Sequence, residues 1–444
     1  MDATCASRTS PLFTSDYEAF LLELLAYDTV SPMETGQPSL IGEAQQRYAS
    51  FAFARTGAHI VIHEPPNPAL LEGEEVPLSV KERASRMGDA FWSSQPNLVL
   101  RIGPERPPEQ TLVFNFHMDT VDGSFPVTYD GETFVGRGAV DMKGPGVALL
   151  AGIEAALRDK PYLLDTYTII IQCVSGEEGG AMGVYGTKVL VDKGWYGRLN
   201  VFAEPSDGVY FDKSTTSMTA RIVVEGKDAT DDAPHSGHNA TLLLGFIAQQ
   251  LFANLSVPIT EAGGKMCLAG LHTGKMHNKV YGSGQLLLNF AYLSMEAGRQ
   301  FRLWIEDAFA NAVGRFSDTF SAIDGSSLTA KDAERICRLE WVKQGLPVLN
   351  NRDELMERFL EALGLERSTD DHLHETFTCD AMWAQREESY TIVYGPGSLE
   401  KNLAHADGEW ITRAQLEEYA SSIRHLLHSY VPIVQDQSVK ETIA

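Results

Sequence analysis

Short, almost wholly apolar runs recur along this chain, and several of them end in a cluster of ionisable residues. Leu112-Val113-Phe114-Asn115-Phe116 leads into His117-Met118-Asp119, Ile169–Val174 into Ser175-Gly176-Glu177-Glu178, and Asn200-Val201-Phe202-Ala203 into Glu204-Pro205. Runs this short and this apolar read as strands of a sheet covered on both faces. His59–His63, Asn97–Ile102 and Tyr390–Tyr394 read the same way, with helical patterns such as Val147–Leu157 and Tyr185–Lys193 between some of them. Strands alternating with helices predict an α/β unit, and in an open α/β sheet ligands bind beyond the carboxyl ends of the strands. Three strands therefore deliver imidazole and carboxylate groups to one edge.

Ser15 with Glu18 three residues on suggests a capping box, and Phe20, Leu21, Leu24 and Leu25 follow at helical spacing, so a helix is expected there. A second is expected over Gly42–Arg55. The stretch from His63 to Asn97, rich in Pro, Glu and Ser, reads as a long loop. Composition shifts near Thr216. From there to about Leu346 the order strand, helix, strand, strand, helix, strand is legible in Ala220–Glu225, Ala240–Asn254, Met266–His272, Val280–Leu293, Ala297–Val313 and Arg335–Val342. The expected architecture is thus an α/β domain with a mixed sheet covered by helices, residues 1–216 and 346–444, carrying an inserted ferredoxin-like α/β unit at 217–345.

Charge removes several function classes. In 444 residues, 36 Lys and Arg stand against 60 Asp and Glu, a net charge of −24, which opposes a nucleic-acid groove or docking on anionic lipid. The start Met1-Asp2-Ala3-Thr4-Cys5 has no basic and apolar secretory pattern, and no stretch approaches 18 uninterrupted apolar residues, so a cytoplasmic protein without membrane contact is expected. Cys5, Cys173, Cys267, Cys337 and Cys379 lack CxxC spacing and read as reduced thiols.

Two further segments join the strand ends. Gly136-Arg137-Gly138-Ala139-Val140-Asp141-Met142-Lys143-Gly144 reads as a tight turn entering a helix, and Tyr394-Gly395-Pro396-Gly397 precedes His405. The candidate set is His117, Asp119, Asp141, Glu177, Glu178, Glu204 and His405. Two imidazoles and several carboxylates without thiolate suit a catalytic zinc, manganese or cobalt site. So many acids in one pocket repel one another unless divalent cations compensate them. Asp119, two residues after His117, is on the right side of an extended chain to accept the other ring N–H. Singly, each piece has an everyday reading as a strand-end hydrogen bond, a helix N-terminus or a solvated loop. Their combination, in this order and at strand ends, favours the metal reading.

Together these motifs resemble the co-catalytic metallohydrolases that include acetylornithine deacetylase, succinyl-diaminopimelate desuccinylase, aminoacylase and glutamate carboxypeptidase. The resemblance rests on His117-Met118-Asp119-Thr120, Gly136–Gly144, Ser175-Gly176-Glu177-Glu178-Gly179, Ala203-Glu204-Pro205, and Gly395-Pro396-Gly397 with His405. It implies that His117 and Glu204 hold one metal ion, that Glu178 and His405 hold another, and that Asp141 bridges them. Glu177 is then the general acid/base with Asp119 beside it, and the Asp141–Met142 peptide is cis. It also implies two divalent ions as cofactors, zinc first with cobalt or manganese in its place. The reaction is hydrolysis of a small-molecule amide, and the inserted unit is a lid and homodimer contact. Alternatives are a dipeptidase or carboxypeptidase of the same fold, an amide-forming or other non-hydrolytic activity, and a non-catalytic binding protein.

Two departures bear on substrate. Thr230 stands where the lid of such proteins offers a histidine, which leaves His235, His238, His272 and His277 as stand-ins; Asn278 matches the lid asparagine. Ala291 and Met382 occupy the positions at which carboxylate-binding relatives carry arginines, so the usual bidentate clamp is missing. The expectation is an amide whose amine side lacks a free α-carboxylate or binds it through other residues, with residues 64–95 shaping the pocket.

Overall fold

The computed structural model describes residues 10–73, 75–369 and 376–441, with side chains described as far as residue 430. The chain divides into two compact units. One is built from the segments up to Leu71, from Val80–Lys213 and from Leu349 onward, the other from Glu72–Ser79 and Ser214–Val348. Two main sheets use the strands β1 His59–Glu64, β2 Asn97–Ile102, β3 Thr111–His117, β4 Thr168–Val174, β5 Leu199–Phe202, β6 Thr216–Glu225, β7 Lys265–His272, β8 Ser283–Tyr292, β9 Cys337–Lys343 and β10 Tyr390–Val393.

In the first unit the order is β1-β2-β4-β3-β5-β10. β3 runs parallel to β4 and β5, and β10 parallel to β5, whereas β2 is antiparallel to both β4 and β1. The sheet is therefore mixed, with a parallel centre. Every residue of β3 and β4 is buried, which accounts for their largely apolar sequences, and the two polar residues inside them, Asn115 and Gln172, are hydrogen-bonded to each other. Truncating one such side chain, Phe114→Ala for example, is expected to cost about 3–5 kcal/mol. Register sets the functional edge: His117 lies opposite Val174, and Phe202 lies opposite both Asn115 and Val393. The segments leaving β3, β4, β5 and β10 thus emerge side by side. The helix Lys143–Asp159 is buried along most of its length, and it packs against the helices Ser15–Leu25 and Arg413–Glu441.

Two local expectations are corrected. The helix Ser15–Leu25 is preceded by Thr14 as N-cap with no side-chain cap, so no capping box forms; the Glu18 carboxylate pairs instead with Arg413 Nε at 2.6 Å. The stretch between β1 and β2 is not a loop throughout, for it contains the helices Leu78–Met87 and Asp89–Ser93. Val80 and Ala84 are buried one turn apart there, a short amphipathic signal that the surrounding Pro and Glu obscured.

The second unit has a four-stranded antiparallel sheet in the order β7-β8-β6-β9. Its helices Ala240–Glu261 and Met295–Phe320 follow the first and third strands, giving the ferredoxin-like pattern, and a further helix, Ser327–Ile336, precedes β9. In β6 only alternate residues, Thr216, Met218, Ala220, Ile222 and Val224, are buried, so one face of the sheet meets the helices. Ala240–Glu261 is long and apolar enough to cross a membrane by length and composition. Its residues Leu243, Leu244, Ile247, Leu251, Leu255 and Ile259 are buried in this unit's own core.

Candidate metal centre

β3 ends in His117, which is 1% exposed. Its Nδ1 lies 2.7 Å from the Asp119 main-chain oxygen; a carbonyl only accepts, so Nδ1 donates and Nε2 is left facing the acids. Nε2 is 2.9 Å from Asp141 Oδ1 and 3.8 Å from Glu204 Oε1. The expected orienting role of Asp119 is thus carried by its main chain. Its carboxylate is 3.9 Å from Nδ1, because it is turned toward the next loop, accepting the Glu178 N–H at 3.1 Å and facing the Glu177 N–H at 3.5 Å.

That loop leaves β4 through Gly176, whose φ is +75° and where a Cβ would stand 1.9 Å from the Tyr185 ring, so glycine is required on both counts. It presents Glu177 half-buried and Glu178 buried. Asp141, 4% exposed, comes from the turn before the helix Lys143–Asp159, where Lys143 N–H donates to the Gly138 carbonyl at 2.9 Å, and the Asp141–Met142 peptide is cis. Gly144 begins that helix so close to the turn that a Cβ would stand 2.1 Å from the Ala139 oxygen. His405 comes from an exposed loop. Its Nε2 is 3.0 Å from Asp141 Oδ2 and 3.1 Å from Glu178 Oε1, and half of its side chain is exposed. Donor atoms of His117, Asp141 and Glu178 lie within 4.8 Å of one another, as do those of His117, Glu177 and Glu204.

The electrostatics are those of a site with more negative charge than the protein offsets. Burial, then the neighbouring Glu204 and Glu178, push Glu177 well above the ordinary carboxylate range. Burial, then Asp141, do the same for Glu204. Burial lifts Glu178 to about 7 against the hydrogen bond from His405. Asp141 goes the other way: burial alone would raise it, but hydrogen bonds from His117 and His405 hold it below its usual value. Burial would lower His117, yet its bond to Asp141 raises it; bonds to Asp141 and Glu178 lift His405 to about 11. Carboxylates that retain protons beside imidazoles that gain them are a donor set suited to divalent cations, which would neutralise the excess charge.

Thr230, His235, His238 and Asn278 belong to the second unit. Thr230 pairs with Lys279 in a two-stranded ladder, which brings it beside exposed Asn278. His235, His272 and His277 are exposed, whereas His238 is buried with both ring nitrogens engaged: Nδ1 accepts the Lys227 N–H at 2.7 Å, and Nε2 is 3.1 Å from Asp332 Oδ2.

Two further buried acids, Asp380 and Glu409, join the site from segments whose local sequence does not mark them. Asp380 accepts from the Thr187 hydroxyl, which in turn accepts from Asn115 Nδ2 at 2.9 Å. With Glu204 and Cys379 it forms another group of donor atoms within 4.8 Å. Glu409 is fully buried beside the Asp141 turn. Asp380 stands two residues before Met382 and Glu409 four residues after His405, but neither residue has a local pattern that marks it as buried. Glu409 finds its partners across 268 to 272 residues of sequence.

The profile of one family, described as Peptidase family M20/M25/M40, matches residues 113–429. A relative from Aeropyrum pernix, named a LysW-lysine/LysW-ornithine hydrolase, is 33% identical over 192 residues, 42% of this chain and 52% of the relative. Another, from Staphylococcus aureus, named a succinyl-diaminopimelate desuccinylase, is 32% identical over 157 residues, 32% of this chain and 36% of the relative. The chain thus spans about half the length of the first of these curated relatives and about a third of the second. The solved structure of a Staphylococcus aureus tripeptidase superposes with a TM-score of 0.64 at 16% identity, covering 94% of this chain and 98% of that one, a likeness of fold.

Proposed function

The chain belongs to peptidase family M20/M25/M40, and from that premise we propose that it is a di-metal hydrolase cleaving the amide bond of an N-acylated amine or amino-acid derivative. His117 and Glu204 would hold one divalent ion and Glu178 and His405 the other, with the Asp141 carboxylate offering an oxygen to each. Zinc would suit this donor set first, with cobalt or manganese able to replace it. The observation that carries this reading is the Asp141 carboxylate, which offers one oxygen 2.9 Å from His117 Nε2 and the other 3.0 Å from His405 Nε2. Bound divalent ions supply Lewis-acid polarisation of an amide carbonyl and a lowered pKa for water.

The chain's own residues do the rest. Glu177, its proton affinity raised by burial and by Glu204 and Glu178, takes a proton from the attacking water. The water oxygen bonds to the acyl carbon, the C–N bond breaks, and Glu177 returns the proton to the leaving nitrogen. Asp119 assists at one remove, accepting the Glu178 N–H and orienting His117 through its carbonyl.

Substrate preference follows from what is missing. Ala291 lies within β8 and Met382 is buried in the turn Asp380–Ala384, so neither position offers a guanidinium to a carboxylate. We read the substrate as an amide whose amine side carries no free α-carboxylate. A homodimer contact through the second unit is supported by the exposed Leu268 and Leu271 on its edge strand β7. Free thiols at Cys173, Cys267, Cys337 and Cys379 support a cytoplasmic location; Cys5 is outside the described residues.

The test is a hydrolysis panel on zinc-, cobalt- and manganese-loaded protein, comparing N-acetyl amino acids, their carboxamides and dipeptides, with Glu177→Gln as blank. Carboxamides should be cleaved at least as well as free acids, and the blank should be slower by about 10²–10⁴-fold. Strong preference for free acids removes the substrate reading, dipeptides cleaved fastest favour the dipeptidase alternative, and an unimpaired Glu177→Gln removes the mechanism.

A further inference from the structure

Glu409 is a fully buried acid beside the centre whose two carboxylate oxygens both have partners, none of them a reacting group. Its Oε1 accepts two main-chain N–H groups, from Val140 at 3.0 Å and Asp141 at 3.1 Å. Its Oε2 takes the Arg137 guanidinium at 2.8 Å, and its main-chain oxygen accepts the Gly136 N–H at 3.0 Å. Arg137 is itself tied to the Gly123 carbonyl at 3.2 Å and lies over the Phe125 ring. Trp410, the next residue, pairs with Val135, so the strand Trp410–Thr412 aligns Glu409 with the start of the Asp141 turn. Four residues earlier in the same segment stands His405. Asn402 braces that loop from within, its Nδ2 donating to the Trp410 oxygen at 2.9 Å.

We propose that Glu409 is a positioning residue that locks the Asp141 turn to the His405 loop, so that the carboxylate between the two imidazoles and the more exposed imidazole move as one body. The need for it follows from where the ligands come from. His117 ends a buried central strand, whereas Asp141 sits in a turn and His405 in a loop with φ of +63°, and neither is held by the sheet. A fully buried carboxylate in this place costs desolvation, which two main-chain donors and one guanidinium offset. Glutamine cannot replace it: its single oxygen serves either the turn or Arg137, and its NH₂ then opposes a donor.

The inference rests on the metal assignments proposed above, and its test separates the two. Wild type, Glu409→Gln and Arg137→Lys are stripped of metal, melted, and titrated with cobalt(II) while the visible d–d absorption is followed. Wild type should take two equivalents. Glu409→Gln should still fold, take the first, and bind the second roughly 10- to 100-fold more weakly with an altered d–d envelope, a signature that a purely structural residue would leave alone. Arg137→Lys keeps Glu409 on the turn but loses the fork, so it should lose less in the same direction, and it serves as the decisive variant if Glu409→Gln does not fold. Two equivalents bound with wild-type affinity and spectrum in a folded Glu409→Gln or, failing that, in Arg137→Lys, overturns the positioning role alone. A wild type that takes up no cobalt overturns the metal assignments and this inference with them.

Discussion

His117 and His405 face the same carboxylate from opposite sides, yet the fold delivers them by different means. The first closes a strand buried along its whole length, is 1% exposed, and has its second nitrogen fixed by a main-chain carbonyl. The second rides an exposed loop in the left-handed region, and half its side chain faces solvent. One end of the centre is therefore part of the sheet's own packing, and the other is brought to it. The contrast teaches that two groups facing one carboxylate need not carry equal structural weight, and that rigidity and access can be divided between two ends of one cluster.

The largest effect should come from cutting each end in turn. In metal-free protein, His117→Ala leaves Asp141 Oδ1 and the Asp119 carbonyl without their buried partner, a loss of about 1–3 kcal/mol in unfolding free energy. His405→Ala also takes a partner from the buried Asp141 and Glu178, but from a half-exposed position where water can replace it, so its loss should be smaller, about 1 kcal/mol or less. Each should lose one equivalent of bound metal. Denaturant unfolding beside metal titration reads both quantities, and equal destabilisation by the two variants breaks the comparison.

Proton release gives a second, smaller difference. His405 is lifted to about 11 by Asp141 and Glu178, and Glu178 to about 7 mainly by burial, so near pH 7 the metal-free site holds protons that ligation must expel. Loading should therefore release protons, and apparent affinity should rise with pH between 6 and 8, since fewer protons remain to be displaced. His405→Ala should release at least one proton fewer per protein, because the imidazole's proton is gone and Glu178, without its ion, keeps its own. Calorimetric titration in buffers of different ionisation enthalpy measures the count. A value unchanged by His405→Ala would mean that the outer imidazole is already neutral before metal arrives.

The same inner and outer distinction explains what could be read from the sequence. His117, Glu177 and Glu204 follow buried strands whose apolar runs announce themselves, so both the strands and the chemistry at their ends are legible. The ferredoxin-like unit is legible for a related reason: the period-two burial of β6 and the long apolar helix Ala240–Glu261 are strong local patterns. What stayed hidden depends on contacts distant in sequence. Glu18 looked like a cap until Arg413 claimed it, and the carboxylate of Asp119 was expected on His117 but answers the main chain of the next loop. Asp380 and Glu409 carry no signal of their own, because a buried acid is recognisable only through donors supplied by other segments.

Asp380 supplies the smallest and most discriminating test on the sheet-borne side. It is held at about 6, raised mainly by burial and opposed by the hydrogen bond from Thr187, whose hydroxyl is in turn fixed by Asn115 and, through it, by Gln172. Thr187→Val keeps the shape and removes the donor. Deprived of it, Asp380 should hold its proton to higher pH, and the variant should lose about 1 kcal/mol of stability at neutral pH with metal stoichiometry unchanged. The sign of the pH dependence follows from linkage. A carboxyl whose folded pKa lies above its unfolded value costs stability as pH rises through that interval, and Thr187→Val widens the interval upward. The difference between variant and wild type in metal-free protein should accordingly be small at pH 5 and grow toward pH 8, as chemical denaturation across that range would record. A difference constant with pH would mean that Thr187 acts by packing alone, and that Asp380 keeps its ionisation without the hydroxyl.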